Sequence, residues 1–362
     1  MPPAADFMKS FSVQKPTQAN IYRAARVLRR GGLVAFPTET VYGLGADAFN
    51  EKAVCRIFEV KKRPSFDPLI VHVSSFREAM ELWSEVPDAA KLLMSRFWPG
   101  PLSIVLPKSG RVPDVVTSGL PTVAVRMPAQ ETALRLIREA GRPLAAPSAN
   151  LFGYTSPTSA ASVAEDFGKE VGMILDGGPC SVGVESTVVK IEKRRIYLLR
   201  PGCITAAEIE KTTGLKVIRI SQVRKLEAPG QMKSHYAPSV PMILAGESEM
   251  IFMKKMRRVK KEREATGSRW PEIARISFSG KKEPGLFCRE EILSPRKDIY
   301  EAASRLFQAI RKLDKMKPRA IVAFPFPGHG IGAAIADRLE KASGGRRGWG
   351  SFADALHRME IK

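Results

Sequence analysis

Short apolar runs alternate with amphipathic stretches along residues 18–215. In the amphipathic stretches the apolar residues recur every three or four positions, which places them on one face of a helix. The strand-like runs are LVAF, PLIVHV, LSIVL, TVAVRM, MILD, STVVKI and RIYLLR, and the helix-like stretches are ANIYRAARVLRR, EKAVCRIFEVKK, DAAKLLMSRF and ETALRLIREA. Alternating strands and helices predict an α/β fold for this region.

A second, smaller α/β domain is predicted for residues 241–362. Residues 216–240 mix charge, proline and glycine, which is typical of a linker. The second domain begins with the apolar PMILA and continues through RAIVAFPF into the glycine-rich PGHGIGAAIADRLEKAS. The GHGIGAA turn fits a dinucleotide-binding pattern, but no later strand ends in an acid, so a helix start is favoured over a cofactor site.

Charge is the first functional clue. The 362 residues carry a formal net charge of +21. Such a balance favours polyanions such as nucleotides or RNA, although a solubility role gives the same balance. The densely basic residues 254–263 are interpreted first as a solvated helix face and second as an RNA contact.

Composition also excludes several classes of protein. No window reaches ~18 consecutive apolar residues, so no membrane span is predicted. The N-terminus has no apolar stretch of the secretory kind. The four cysteines are widely spaced and suggest neither a zinc site nor a disulfide framework. We therefore expect a cytoplasmic protein without a metal site of its own.

The stretch AFPTETVYGLGA, residues 35–46, places small polar groups directly after an apolar run. Pro37 ends the predicted strand because it lacks a ladder donor. Hydroxyls beyond a strand end can face a ligand cleft in α/β sheets. Gly43 and Gly45 are expected to let the backbone turn tightly beside a ligand. The alternative is an ordinary strand–turn–helix connection.

Fixed positive charges recur near other strand ends. Lys61 and Arg63 stand before Pro64, which predicts an extended arm whose cations suit phosphate oxygens. Arg126 interrupts an apolar strand and needs a partner, either an internal carboxylate or an anionic ligand. His72 lies alone in a strand, where a histidine is more often a hydrogen-bonded core residue.

Hydroxyl and amide side chains accompany these cations. They come from the segments APSAN and SPT and from the strand end GVESTVV. Arg200 adds a further cation where the strand YLLR ends before a proline turn. No Ser–His–Asp order and no metal-ligand spacing is present. A site rich in cations and hydroxyls but poor in general bases suits nucleotidyl or phosphoryl transfer.

These motifs, in this order, resemble the YrdC-like family and, within it, the two-domain threonylcarbamoyl-AMP synthases. The matching stretches are PTETVYGLG, KKRPSFDPLIVH, FWPGPLS, VAVRMP, APSAN, SPT, DGG with GVESTVV, LRPG, HYAPS and GHGIGAAIADRLEKASG. The resemblance runs from about residue 18 to about residue 345.

The resemblance implies an activity and a fold. L-Threonine, bicarbonate and ATP, accompanied by Mg²⁺, would give threonylcarbamoyl-AMP and pyrophosphate for modification of a tRNA adenosine beside the anticodon. The fold would be a twisted mixed α+β sheet with a basic cleft, and a Rossmann-like domain whose linker can close over the cleft. A monomer is expected, with tRNA or a tRNA threonylcarbamoyl-transferase complex as partner.

The resemblance also implies two sets of site residues. The threonine set is Thr38, Thr40, His72, Arg126 and Ser186. The ATP set is Lys61, Arg63, Asp67, Thr122, Ser148, Asn150, Ser156, Arg200 and Tyr236, with Lys61 and Arg63 also acting as catalytic cations. Asp67 replaces the asparagine usual in the family, and Phe152 replaces a usual serine, which leaves both roles open.

Two other functions are compatible with parts of the sequence. Carbamoyl transferases of the hydrogenase-maturation type contain a similar domain, but they also carry zinc-finger cysteine pairs that this chain lacks. RNA binding through the basic cleft and residues 254–263 would instead require no ATP consumption.

Overall fold

A computed structural model of the chain describes residues 13–220, 228–232 and 235–358. These residues form two compact units. The larger unit extends to Phe152 and resumes over Ser156–Met232, and the smaller unit contains Gly153–Thr155 and the described residues from 235 onward. Across these described ranges, no helix combines the length and the apolar character that crossing a bilayer requires.

The larger unit is an eleven-stranded mixed sheet with helices. Its sheet order is β1-β8-β2-β3-β7-β4-β6-β5-β9-β10-β11. The strands are β1 (Val13–Gln14), β2 (Val34–Phe36), β3 (Gly43–Asp47), β4 (Ile70–His72), β5 (Leu102–Pro107), β6 (Thr122–Arg126), β7 (Leu144–Ala145), β8 (Met173–Leu175), β9 (Thr187–Glu192), β10 (Arg195–Arg200) and β11 (Val217–Arg219). The helices are α1 (Gln18–Arg29), α2 (Glu51–Lys61), α3 (Phe76–Leu82), α4 (Asp88–Phe97), α5 (Asp114–Thr117), α6 (Glu131–Ala140), α7 (Ala160–Phe167) and α8 (Ala206–Thr213), with a 3-10 turn at Gly168–Glu170.

The smaller unit has a four-stranded sheet in which all pairs are parallel. Its sheet order is β12-β15-β13-β14. The strands are β12 (Met242–Leu244), β13 (Ile273–Ser277), β14 (Arg289–Ile292) and β15 (Ala320–Ala323), and the helices are α9 (Glu249–Ala265), α10 (Ile299–Lys315), α11 (Gly332–Ser343) and α12 (Gly348–Arg358). The glycine-rich GHGIGAA stretch leads into α11. The basic residues 254–263 lie in α9.

The expected α/β class, with a twisted mixed sheet and a second, smaller α/β domain, is confirmed. Every strand-like and helix-like run named above contains a strand or helix of the expected type. The predicted linker, 216–240, contains a strand: β11 pairs in parallel with β10 and belongs to the larger sheet. β11 lies at the edge of the sheet and buries only Val217, so it lacks the apolar run that marks the buried short strands. Residues 221–227 and 233–234 of the predicted linker lie outside the described residues.

The two faces of the central strands are chemically different. Side chains alternate between faces along a strand. Val71, Ile104 and Val125 point into the main apolar core. The alternate residues on the other face include Ile70, Val105, Ala124, Val188 and Leu199, which form a small apolar patch with Ala228. We call this second side of the sheet the site face.

Candidate active site

The site face carries polar groups beyond its apolar patch. His72 and Arg126 each follow a patch residue by two positions, so they share its face. They are also register partners on the parallel strands β4 and β6. Both are buried, with 4% and 3% of their surface exposed. The register of β4 and β6 therefore places a histidine and an arginine side by side beneath the surface.

Arg126 is held from three directions. Its Nη2 lies 2.6 Å from Glu39 Oε1. Its Nη1 donates to Thr40 Oγ1 at 2.8 Å, and its Nε donates to the carbonyl of Gly100 at 3.2 Å. Of the two partners that the sequence left open, the structure shows the internal carboxylate. A guanidinium has five N–H donors, so at least two on the Nη atoms remain for an anion.

The PTET segment forms a polar turn between two strands. Thr38 and Thr40 approach within 2.8 Å through their hydroxyls, and Thr38 Oγ1 donates to the carbonyl of Val41 at 2.6 Å. Glu39 Oε2 accepts from the backbone N–H of Ala129 at 3.0 Å. The Glu39 carboxylate is thus fixed at both oxygens. We call Thr38, Glu39, Thr40, His72 and Arg126 the Arg126 cluster.

The expected tight turn at Gly43 and Gly45 is wrong. Both glycines lie in β3, which pairs antiparallel with β2, so the segment is a strand–turn–strand connection. A Cβ at Gly45 would lie only 2.7 Å from the Phe36 ring. That ring packs edge-on against His72 with centroids 6.1 Å apart. The glycines therefore make room for an aromatic residue that positions the histidine.

His72 is a neutral histidine. Burial, together with the positive charge of Arg126, lowers the pKa of His72 to about 3. Its Nδ1 is buried, and the described residues offer it no hydrogen-bond partner. Buried polar atoms are normally paired, so this nitrogen is available to a ligand.

Ser186 and Arg200 form a third group of contacts. Arg200 donates from Nη2 to Ser186 Oγ at 3.0 Å and from Nε to the Ser186 carbonyl at 3.1 Å. Ser186 Oγ also lies 2.8 Å from Ser103 Oγ. Arg200 influences the pKa of both His72 and Asp67, so its charge acts on both predicted substrate sets.

Lys61 is not on the extended arm that Pro64 suggested. It is the last residue of α2, and Lys62 closes the helix in the left-handed conformation with a φ of 53°. The restriction imposed by proline thus acts after the helix has ended. Lys61 is 1% exposed and donates from Nζ to the carbonyls of Ser148, at 2.6 Å, and Asn150. Burial, with the neighbouring Arg63 charge, lowers the pKa of Lys61 well below its usual value.

Arg63 folds back over its own turn. Its Nη2 lies 2.9 Å from Asp67 Oδ2, and it donates to the carbonyls of Asp67 and Pro68, each at 3.0 Å. Asp67 is 1% exposed. We call Lys61, Arg63, Asp67, Ser148 and Asn150 the Lys61 cluster.

The remaining predicted site residues are dispersed. Ser156 donates to Glu185 Oε1 at 2.5 Å. Thr122 lies on the site face but four residues from Arg126, ~13 Å along the strand at 3.3 Å per residue. Tyr236 belongs to the smaller unit, where it packs 5.4 Å from Phe307.

Sequence reasoning missed three partners of these residues. Glu39 and Glu185 lie within the quoted stretches PTETVYGLG and GVESTVV, but sequence reasoning assigned neither a role of its own. Ser103 was not considered. A serine inside the apolar run LSIVL is a recognisable anomaly of the same kind as Arg126.

Mg²⁺ has no protein cage in the described part of the chain. No group of three or more His, Cys, Asp or Glu side chains is arranged there to hold a metal. Of the site carboxylates, Glu39 and Asp67 already contact arginines. This donor set does not fit a resident metal ion.

The chain is similar to known proteins over most of its length. Residues 26–202 match the family described as "Telomere recombination", and residues 204–344 match that described as "Threonylcarbamoyl-AMP synthase, C-terminal domain". The threonylcarbamoyl-AMP synthase of Pyrococcus abyssi is 46% identical over 333 residues, covering 89% of this chain and 94% of that protein. The synthase of Bacillus subtilis is 43% identical over 333 residues, covering 90% and 93%. A crystal structure of P. abyssi Sua5 complexed with L-threonine has a TM-score of 0.85 and 42% identity, covering 93% of this chain and 98% of that one.

Proposed function

The chain belongs to the threonylcarbamoyl-AMP synthase family, and we propose that it converts L-threonine, bicarbonate and ATP into threonylcarbamoyl-AMP and pyrophosphate. The observation that supports this most is the Arg126 cluster. It offers spare guanidinium donors beside an unpartnered imidazole nitrogen, in a fold whose P. abyssi relative is complexed with L-threonine.

Threonine binds to the Arg126 cluster in this proposal. The two spare Nη donors of Arg126 suit the planar α-carboxylate. Because His72 is neutral, it offers a hydrogen bond without placing a second positive charge beside the substrate amine. Thr38, Thr40 and Ser186 supply hydroxyls around the same position.

ATP extends from the Lys61 cluster along the site face. The threonine amine condenses with bicarbonate to form a carbamate, and one water leaves. If the reaction passes through CO₂, bicarbonate first loses hydroxide and the amine then loses a proton, which together make the same water. A carbamate oxygen then attacks the α-phosphorus and pyrophosphate leaves. Arg63, Arg200 and Lys61 stabilise the phosphate charge, and the rest of the predicted ATP set in the larger unit is Ser148, Asn150, Ser156, Asp67 and Thr122. Mg²⁺ would arrive with the ATP phosphates, as it commonly does.

Pyrophosphate release tests the activity. We expect release that requires ATP, threonine and bicarbonate together, and that falls sharply when serine replaces threonine. Release without threonine, or equal release with serine, would contradict the proposal. Steep loss of RNA affinity with salt, without any ATP consumption, would favour the RNA-binding alternative.

The later fate of the product stays a prediction. A transferase that attaches the threonylcarbamoyl group to a tRNA adenosine would consume it. The tRNA contact, the transferase complex, the nucleotide contact of Tyr236, the monomeric state and the cytoplasmic location are likewise predictions.

A further inference from the structure

Asp67 places a negative charge where a triphosphate is proposed to bind. Its carboxylate is buried and contacts Arg63 Nη2 at 2.9 Å. Three cations act on it electrostatically: Arg63, Lys61 and Arg200. The Asp67 carboxylate is therefore a negative charge among the cations that would face the phosphates.

The local geometry makes this charge hard to move away. The backbone N–H of Asp67 donates to the Pro64 carbonyl at 3.2 Å, and the Asp67 carbonyl accepts from Arg63 Nε. Backbone and side chain thus form one closed turn with Arg63. A ligand that recruits Arg63 meets the carboxylate in place.

When two buried negative groups share the same cations, each raises the pKa of the other. Burial already raises the pKa of Asp67, against the opposing effects of Arg63, Lys61 and Arg200. The phosphates would raise it further, because they compete for the same positive charges. Asp166, which acts on Lys61, is a further carboxylate close to this group.

We propose that Asp67 is the resident counterion of the ATP site: it holds Arg63 in position and takes up a proton when the triphosphate binds. This inference rests on the proposed function, since it needs ATP to bind at the Lys61 cluster. Because ATP binding is then coupled to proton uptake by Asp67, the affinity for ATP falls as the pH rises.

Calorimetry with MgATP, without threonine so that no carbamate forms, tests the proposal between pH 5 and 8. In wild type, we expect uptake of up to one proton per ATP. The number of protons is calculated from the binding enthalpies in two buffers that differ in ionisation enthalpy. In Asp67→Asn, this uptake should disappear. The ratio of the wild-type Kd to the Asp67→Asn Kd should increase about tenfold across the range, because only the wild-type protein must take up a proton at residue 67 when ATP binds.

The outcomes separate the two proposals. If ATP binds both proteins and the Kd ratio is constant, the counterion inference is overturned while the proposed function stands. If ATP binds neither protein, both are overturned. Asp114→Asn, which changes a carboxylate whose side chain is 83% exposed, should behave as wild type. If Asp67→Asn does not fold, Asp67→Ser takes its place in the same comparison, and a constant Kd ratio overturns the inference.

Discussion

Arg126 and Arg63 are both buried arginines that contact a carboxylate, but their partners come from different places. Arg126 is held by Glu39, Thr40 and Gly100, which are distant in sequence. The partners of Arg63 that we describe lie within five residues of it. The Arg126 cluster therefore keeps donors for a ligand. In the Lys61 cluster, a local turn holds Arg63, while the distant carbonyls of Ser148 and Asn150 hold Lys61.

The two predicted substrate sites therefore differ in how their cations are held before any ligand binds. In the Arg126 cluster, the guanidinium is oriented before any ligand arrives, which lowers the entropy cost of binding. In the Lys61 cluster, the cations already have protein partners, so a phosphate must compete with them. Four changes test this comparison, beginning with the largest expected effect.

Replacing Arg126 should have the largest effect. Arg126→Ala leaves the Glu39 carboxylate buried without its cation, and breaking a buried pair in this way typically costs ~3–5 kcal/mol of the free energy of unfolding. Threonine-dependent pyrophosphate release should fall at least ~100-fold, the order expected for losing a preorganised donor. Urea denaturation and a pyrophosphate assay measure the two effects. Arg138→Ala, on the exposed side of α6, is the matched control, and a fully active Arg126→Ala would contradict the site.

Replacing Lys61 should affect stability as well as activity. Since the resemblance implies that Lys61 and Arg63 are catalytic cations, Lys61→Ala or Arg63→Ala should nearly abolish pyrophosphate release. Because Lys61 donates to two buried carbonyls, Lys61→Met should also destabilise the fold by ~2 kcal/mol, the cost of leaving such acceptors unpaired. A denaturation midpoint equal to wild type would contradict the buried position. Lys62→Met, on the exposed neighbour, should change neither property.

Neutralising Glu39 should separate the two substrates. Glu39→Gln keeps the shape of the side chain but weakens the hold on Arg126, so the KM for threonine should rise ~10-fold while the KM for ATP changes little. A larger effect on ATP would show that the two clusters act as one unit. Initial rates with each substrate varied in turn provide the measurement.

The last effect appears only below pH 6.5 and is the contribution of His72 to pH-dependent stability. Its pKa is about 3 in the folded protein and 6.5 in its ordinary state. Between these values the unfolded chain binds more protons, so stability should fall as the pH is lowered from 6.5, by up to ~1.4 kcal/mol per pH unit. His72→Gln should lose less stability over the same range. Denaturation curves from pH 7 to 4 that fall in parallel would contradict this.

The site could be predicted from sequence as a set of residues rather than as an arrangement. Anomalies within regular patterns, such as Arg126 in an apolar strand, indicated several of its members. The pairing of Arg63 with Asp67 was not anticipated, because Pro64 suggested an extended arm where α2 continues to Lys61. The room made by Gly45 for Phe36 was also missed, since it depends on a neighbouring strand.

By itself, the sequence determined the α/β class, most strands and helices, the division into a larger and a smaller part, and the kinds of side chain at the strand ends. These follow from periodicity and composition, which are local properties of the chain. Only the tertiary structure decided that Glu39 balances Arg126, that His72 lies neutral beside it, and that Lys61 is committed to backbone carbonyls. Those outcomes depend on strand register and burial, and both bring together residues that are far apart in the chain.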